Sequence, residues 1–169
     1  EAEQCLQRAL PIQRHLYGPT NLHSAMTYIC LARLDLDRDR LASSEANTLQ
    51  ALRLHEAVLP PKHRSFVDSW ATLAKVRSRQ GRHLEAEDLF RKSLALARET
   101  YSSNHWVVTA LQVSLAPSLA AQGRLAEAET LLVQAHKTFD ASFGPNDSRT
   151  QEVLKAFERI YALDASKPE

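Results

Sequence analysis

SWATLAKVRSRQGRHLEAEDLFRKSL, residues 69–94, reads as two amphipathic helices joined by a tight turn at Gly81. Trp70, Leu73, Ala74 and Val76 form an apolar stripe at helical spacing in the first segment, and Leu84, Ala86, Leu89, Phe90 and Leu94 form one in the second. Ala74 and Ala86 are small where two helix axes must come close, because a bulkier side chain would hold them apart. Gln80-Gly81-Arg82 supplies the break, since glycine adopts the left-handed conformation that ends a helix. A single pair of this kind cannot bury both stripes.

The same pattern recurs at a fixed period. EAEQCLQRAL begins at residue 1, SSEANTLQAL at 43, EAEDLFRKSL at 85 and EAETLLVQAH at 127, a spacing of 42 residues each time. The following segments keep the register: YGPTN from Tyr17, LPPKH from Leu59, YSSNH from Tyr101 and FGPND from Phe143. Tyr28, Trp70, Gln112 and Leu154 are equivalent, as are Leu31, Leu73, Leu115 and Phe157. An ungapped repeat of this length predicts a solenoid of stacked helical hairpins.

Trp70, Leu73, Ala74, Ala86, Phe90 and Ser93 resemble the tetratricopeptide repeat pattern of one large, two small and one aromatic packing position. The LAxxxxxQGRxxEAExL run, Leu73–Leu89 and again Leu115–Leu131, is similar to the 42-residue variety found in kinesin light chains and many bacterial repeat proteins. The resemblance spans essentially the whole chain. It implies an all-α, right-handed superhelix in which the first helix of each pair lines the concave side. On this reading residues 1–169 are one array. It consists of the second helix of a truncated repeat (1–20), full repeats at 21–62, 63–104 and 105–146, a capping helix at 147–163 and a tail at 164–169. The array opens in mid-repeat, so a piece of a longer chain is expected. FGPNDSRTQEVLKAFERIYAL looks like the ends of repeat arms in bacterial multidomain proteins, which implies a regulatory arm.

Hydrophobic residues make up 44% of the 169 residues and there are only four glycines, as expected of a helical core and not of a disordered chain. Lys plus Arg total 21 against 20 acidic residues, too balanced for a nucleic-acid partner. No apolar run of about 18 residues is present, so no membrane span is predicted, and the expected compartment is the cytoplasm. Cys5 and Cys30 lie on different helices without metal-like spacing and read as small reduced side chains.

Along the chain, Pro11 is expected to bend or weaken the end of the first helix, and Pro117 to kink a later one. The hairpin at 22–58 is expected to be the softest. Asn47 and Thr48 replace apolar residues there, and its turn, Asp37-Arg38-Asp39-Arg40, has no glycine. Glu158 stands where other copies have Ala32, Ala74 and Ala116, which suits a capping helix with a wet outer side.

No phosphate loop, HExxH, GxSxG or paired Cys-x-x-Cys motif occurs, so neither an enzyme nor a cofactor or metal site is expected. His63 and His105 recur by one period, which favours helix capping over metal ligation. Glu1, Glu3, Glu85, Glu87, Glu127 and Glu129 also recur, in the first turns of second helices, where carboxylates favour the positive end of the helix dipole.

Function therefore rests on surfaces. From the resemblance and helical geometry, the groove should receive Met26, Ile29, Cys30 and Arg33, then Asp68, Ala71, Thr72 and Lys75. Ala110, Val113, Ser114 and Pro117 follow, then Glu152, Lys155, Ala156 and Arg159. Arg33, Lys75 and Arg159 share one repeat position, with Arg79 nearby, and form an intermittent cationic row. Either an extended acidic peptide lies along it, held by charge-assisted hydrogen bonds, or these are solvated charges partly neutralised by Asp68 and Glu152. The asparagine ladder of kinesin light chains is replaced here by Cys30, Thr72, Ser114 and Ala156, and the two-lysine, two-asparagine clamp for chaperone carboxyl termini is absent. The leading expectation is a non-catalytic scaffold binding a peptide or protein partner in the groove. The alternative is self-association through the terminal helices, with Leu6, Ala9 and Leu10 of the first helix open to a second copy.

Overall fold

The computed structural model describes residues 1–101 and 105–165. Ser102, Ser103 and Asn104 of the YSSNH segment, and residues 166–169 of the expected tail, lie outside the described residues. The described residues form eight helices: α1 (Ala2–Tyr17), α2 (Leu22–Asp37), α3 (Leu41–Val58), α4 (Ser65–Arg79), α5 (His83–Thr100), α6 (Trp106–Ala121), α7 (Leu125–Phe143) and α8 (Ser148–Ala165). They stack as hairpins α2–α3, α4–α5 and α6–α7, with α1 against α2 and α8 against α6 and α7. The even-numbered helices approach one another in series along the stack, whereas the odd-numbered ones stay farther apart and α5 and α7 meet only through the Arg91–Glu127 ion pair among the described residues. That asymmetry makes a helical-repeat superhelix, with the even-numbered helices on its shorter, inner side.

Small residues set the hairpin spacing. Ala32, Ala74 and Ala116 of the even helices, and Ser44, Ala86 and Ala128 of their partners, are all 0% exposed. Ser44 donates its hydroxyl to Ala32 O at 2.7 Å, so the serine copy closes the same gap with a hydrogen bond. Phe90 and Leu132 fill the next layer, and Thr48 occupies the equivalent site, its hydroxyl held by Ser44 O. The hairpin turns share a left-handed residue: Gly81 (φ 78°), Gly123 (φ 83°) and, in the turn without glycine, Asp39 (φ 58°). Aspartate tolerates this region better than most residues. Asn47 of that hairpin donates to Asp35 at 2.9 Å, so polar groups hold it where its neighbours use apolar ones.

Neither proline ends its helix. α1 runs through Pro11 to Tyr17 and α6 through Pro117 to Ala121. Pro60-Pro61 does stop α3, with Leu59 before them extended, as a residue preceding proline prefers. The inter-hairpin loops cap the next helix with one side chain each. Asn21 Oδ1 accepts from Ser24 N–H (2.8 Å), His63 Nδ1 from Ser65 N–H (3.2 Å), His105 Nδ1 from Val107 N–H (3.3 Å) and Asp147 Oδ1 from Arg149 N–H (2.9 Å). The capping role expected of His63 and His105 is thus present. Glu158 is exposed on α8, and no residue of α1 is buried.

The recurrent glutamates do more than face a helix dipole. Each hairpin turn reaches back to the preceding odd-numbered helix. Arg38 and Arg40 bond Glu3, Gln80 donates to Glu45 at 2.7 Å, and Gln122 donates to Glu87 at 2.9 Å. Glu87 also receives Arg124 at 2.7 and 2.8 Å and Arg91 at 2.7 Å. Burial pushes the Glu87 carboxyl up, but the bonds from Arg91, Arg124 and Gln122 outweigh it and hold the group below its ordinary value of 4.5. Its contribution to stability is therefore present above that value and lost as pH falls through the lower, folded-state value. Glu87→Ala is expected to lower the unfolding free energy by roughly 1–3 kcal/mol in urea titrations at pH 7. Glu87→Gln should flatten the loss of stability below pH 4.5. An unchanged urea midpoint for Glu87→Ala would show that the contacts are ornamental.

Candidate functional site in the concave groove

Equivalent positions on the inner helices divide into two classes by burial. Ile29 and Val113 are 7% exposed and Thr72 3% exposed, its hydroxyl donating to Asp68 O at 2.8 Å. These three, expected to line the groove, are instead buried. The pattern has a physical reason. At the position of Ile29, Ala71 and Val113 the side chain is covered until the last helix, where Lys155 is exposed. At the position of Thr72, Ser114 and Ala156 it is covered except on the first, where Cys30 is exposed. One row thus faces the following inner helix and the other the preceding one, and Cys30 and Lys155 are open only because they end the stack. Ser114 is half-buried and donates to Ala110 O at 2.9 Å.

The groove surface belongs to a third row, spaced seven residues apart on each helix: Met26 and Arg33, Asp68 and Lys75, Ala110 and Pro117, Glu152 and Arg159. Ala110 and Pro117 are half-buried and the other six are exposed. Its charges alternate. Arg33 bonds Asp68 at 3.0 Å across α2 and α4, and Arg159 bonds Glu152 at 3.0 Å along α8. Arg79 donates to Leu36 O at 3.0 Å and lies 3.4 Å from Asp39. The expected cationic row is therefore interleaved with carboxylates. These pairs are about half exposed or more, so each is worth little.

Lys75 is different. No carboxylate lies within ion-pair distance of it among the described residues. Its side chain as a whole is exposed, yet the surrounding protein desolvates the ammonium. This desolvation, reinforced by Arg33, pulls its pKa below the ordinary lysine value, against the raising effects of Asp68, Glu152 and Asp37. Beside it, Ser78, His83, Pro117, Arg159, Ala162 and Leu163 line a cleft of about 400 Å³. His83 Nδ1 is buried there without a hydrogen-bond partner, and Ser78 accepts from Ser118 at 2.9 Å. Pro117 adds an apolar wall. No group of His, Cys, Asp and Glu among the described residues could hold a metal ion, and no described helix is long and apolar enough to cross a membrane.

Residues 71–106 match the tetratricopeptide repeat family model. The chain is folded as a tetratricopeptide-repeat array. The whole superhelix is similar to the nearly identical TPR-like repeats of a candidate kinesin light chain of Podosopora anserina (TM-score 0.68, 20% identity, 96% of this chain and 85% of that one). A point variant of the same repeats aligns with TM-score 0.69 at 20% identity over the same shares. BtubC (BKLC) from P. vanneervenii matches with TM-score 0.67 and 17% identity, over 99% of this chain and 72% of that one. No curated protein matches the chain in sequence. At these identities the likeness is one of fold: a kinesin-light-chain-like repeat array, whose groove residues must be read from this chain itself.

The lowered pKa of Lys75 has a direct chemical readout. Amine acylation at about pH 8.5, followed by peptide mass spectrometry, should modify Lys75 ahead of Lys62, whose ammonium is held by Glu99 at 2.8 Å. Slower labelling of Lys75 would mean that the groove wall shields the amine without activating it.

Proposed function

We propose that the array is a non-catalytic scaffold that binds an extended peptide or protein segment in its concave groove. The observation that supports this reading is the open row of Met26, Arg33, Asp68, Lys75, Glu152 and Arg159, with Lys75 alone lacking a carboxylate partner. A ligand carboxylate would form its charge-assisted bond there without first displacing an internal one. An acidic partner fits Lys75, while Arg33 and Arg159 engage it only by exchange with Asp68 and Glu152. The groove is preformed, so little ordering opposes binding. Tetratricopeptide repeats generally mediate protein–protein contacts, and this one is read as a regulatory arm of a larger multidomain protein in the cytoplasm.

The test is capture with this chain beside its Lys75→Glu, Arg159→Glu double variant, with partners cross-linked through lysine. The expected outcome is a partner cross-linked at Lys75 and lost from the variant while the helical spectrum is unchanged. Identical partners from both proteins would overturn the groove reading.

A second reading is favoured by α1. Ile12 is 58% exposed, whereas Leu54 and Leu96 at the same repeat position are 7% and 6% exposed. Leu6, Ala9 and Leu10 are only half-buried. A second copy covering this face would make the array a self-associating segment. Sedimentation should then show concentration-dependent association that disappears in Leu6→Ser, Leu10→Ser, and a monomer at all concentrations would exclude it.

A further inference from the structure

Each odd-numbered helix meets the next even-numbered one through a pair of residues at the same repeat position. These junction pairs are Gln13 with Thr27, His55 with Ser69, Ala97 with Leu111, and Phe139 with Val153. The last two are apolar, and all four of their residues are buried in the core. The first two are hydrogen-bonded: Thr27 donates to Gln13 at 3.0 Å, and Ser69 Oγ lies 3.1 Å from His55 Nδ1. His55 and Ser69 are 3% and 0% exposed, with Phe66 edge-on to the imidazole at 5.7 Å. Of the four pairs, only His55–Ser69 contains a titratable side chain that changes charge between pH 5 and 8.

A second imidazole sits at the same junction. His63, in the connecting loop, accepts the Ser65 N–H at the start of α4 through Nδ1. That bond needs a neutral ring, because a protonated imidazole has no lone pair to offer. On the groove side the other bonds spanning this junction are Arg33–Asp68, Arg79 to Leu36 O and Arg79–Asp39, all about half exposed on the arginine side, and they add little closing force. At the far end of α4 from His55, Glu45 of α3 takes Gln80 at 2.7 Å and the largely buried Arg77 at 2.5 Å, a clasp that does not depend on the imidazole.

We propose that the α3–α4 junction is an acid-sensitive hinge, closed while His55 is neutral and loosened when it takes up a proton, which lets the end of α3 part from the start of α4 while the Glu45 clasp holds the other end. Burial is the main influence on His55 and it disfavours the charged ring. The positive charge of His63 acts in the same direction, and Asp68 of α4 opposes both. Asp68 is itself engaged by Arg33, and no charged group of α2 or α5 bears on the imidazole. With the folded-state value below the ordinary 6.5, the stabilisation is complete above pH 6.5 and is lost as pH falls below it. Any effect on a groove ligand rests on the reading proposed above, but the hinge itself does not.

The chain supplies its own non-titrating replacements, since Gln13 and Asn21 occupy the positions of His55 and His63 in the preceding repeat. Hydrogen exchange of the intact chain at pH 7.5 and 5.5, corrected for intrinsic rates, is compared with His55→Gln, His63→Asn. In the wild type, protection of the end of α3 and the first turns of α4 should fall about tenfold relative to α6 and α7, the linkage expected of one proton over roughly a pH unit. The double variant should hold that ratio within about twofold if neutral side chains close the junction at both pH values. Uniform loss along the wild-type chain, no loss at all, or the same local loss in the variant would each overturn the hinge. If the double variant does not fold, His55→Gln alone serves, and it should remove most of the local loss.

Discussion

The structure depends on one constraint: two helix axes must approach closely at an uninterrupted series of small residues. Ala32, Ala74 and Ala116 meet Ser44, Ala86 and Ala128 with no exposed surface on either side. A larger side chain at any of these six sites would lever a hairpin open and misplace its neighbours, because each hairpin is also the wall against which the next one packs. Phe90 and Leu132 can be fully enclosed only because the small layer beside them has already set the spacing.

Hairpins alone would not define a superhelix, since nothing in a single pair says how the next should rotate. Two sets of contacts supply that information. The turn-to-helix clasps, Gln80 to Glu45 and Gln122 to Glu87, pull each turn back onto the preceding odd helix. The inner helices then approach in series while the backbones of the outer ones stay farther apart, α5 and α7 being bridged by Arg91–Glu127. The curvature that results makes a groove. Within it, exposed arginines are matched to carboxylates on the same or adjacent helix, which leaves Lys75 as the ammonium that desolvation has weakened and no carboxylate has rescued.

The polar residues of the first two junctions show how a repeat protein can vary locally without losing its fold. Gln13–Thr27 and His55–Ser69 occupy the geometry that Ala97–Leu111 and Phe139–Val153 fill with apolar contact. The backbone path is the same, while the chemistry of closure differs. Asp39 makes the same point in the turns, taking the left-handed conformation that Gly81 and Gly123 provide elsewhere.

Helix number and stacking order were legible in the sequence, because a 42-residue period carries two apolar stripes per copy, whereas α8 runs to Ala165, two residues past the expected end of the capping helix at 163. The capping role of His63 and His105 was legible from their recurrence. The clasps were missed, although Gln80 and Gln122 recur 35 residues after Glu45 and Glu87, a pairing visible once the offset between copies is compared instead of the period. Which inner-helix residues face the groove was decided by tertiary structure alone. Helical geometry places Ile29, Thr72 and Val113 on the inner side, but it says nothing of the adjacent inner helix that covers them. Periodicity is a property of the chain and can be read along it. Exposure depends on what stacks beside each helix, and that exists only once the repeats have closed on one another.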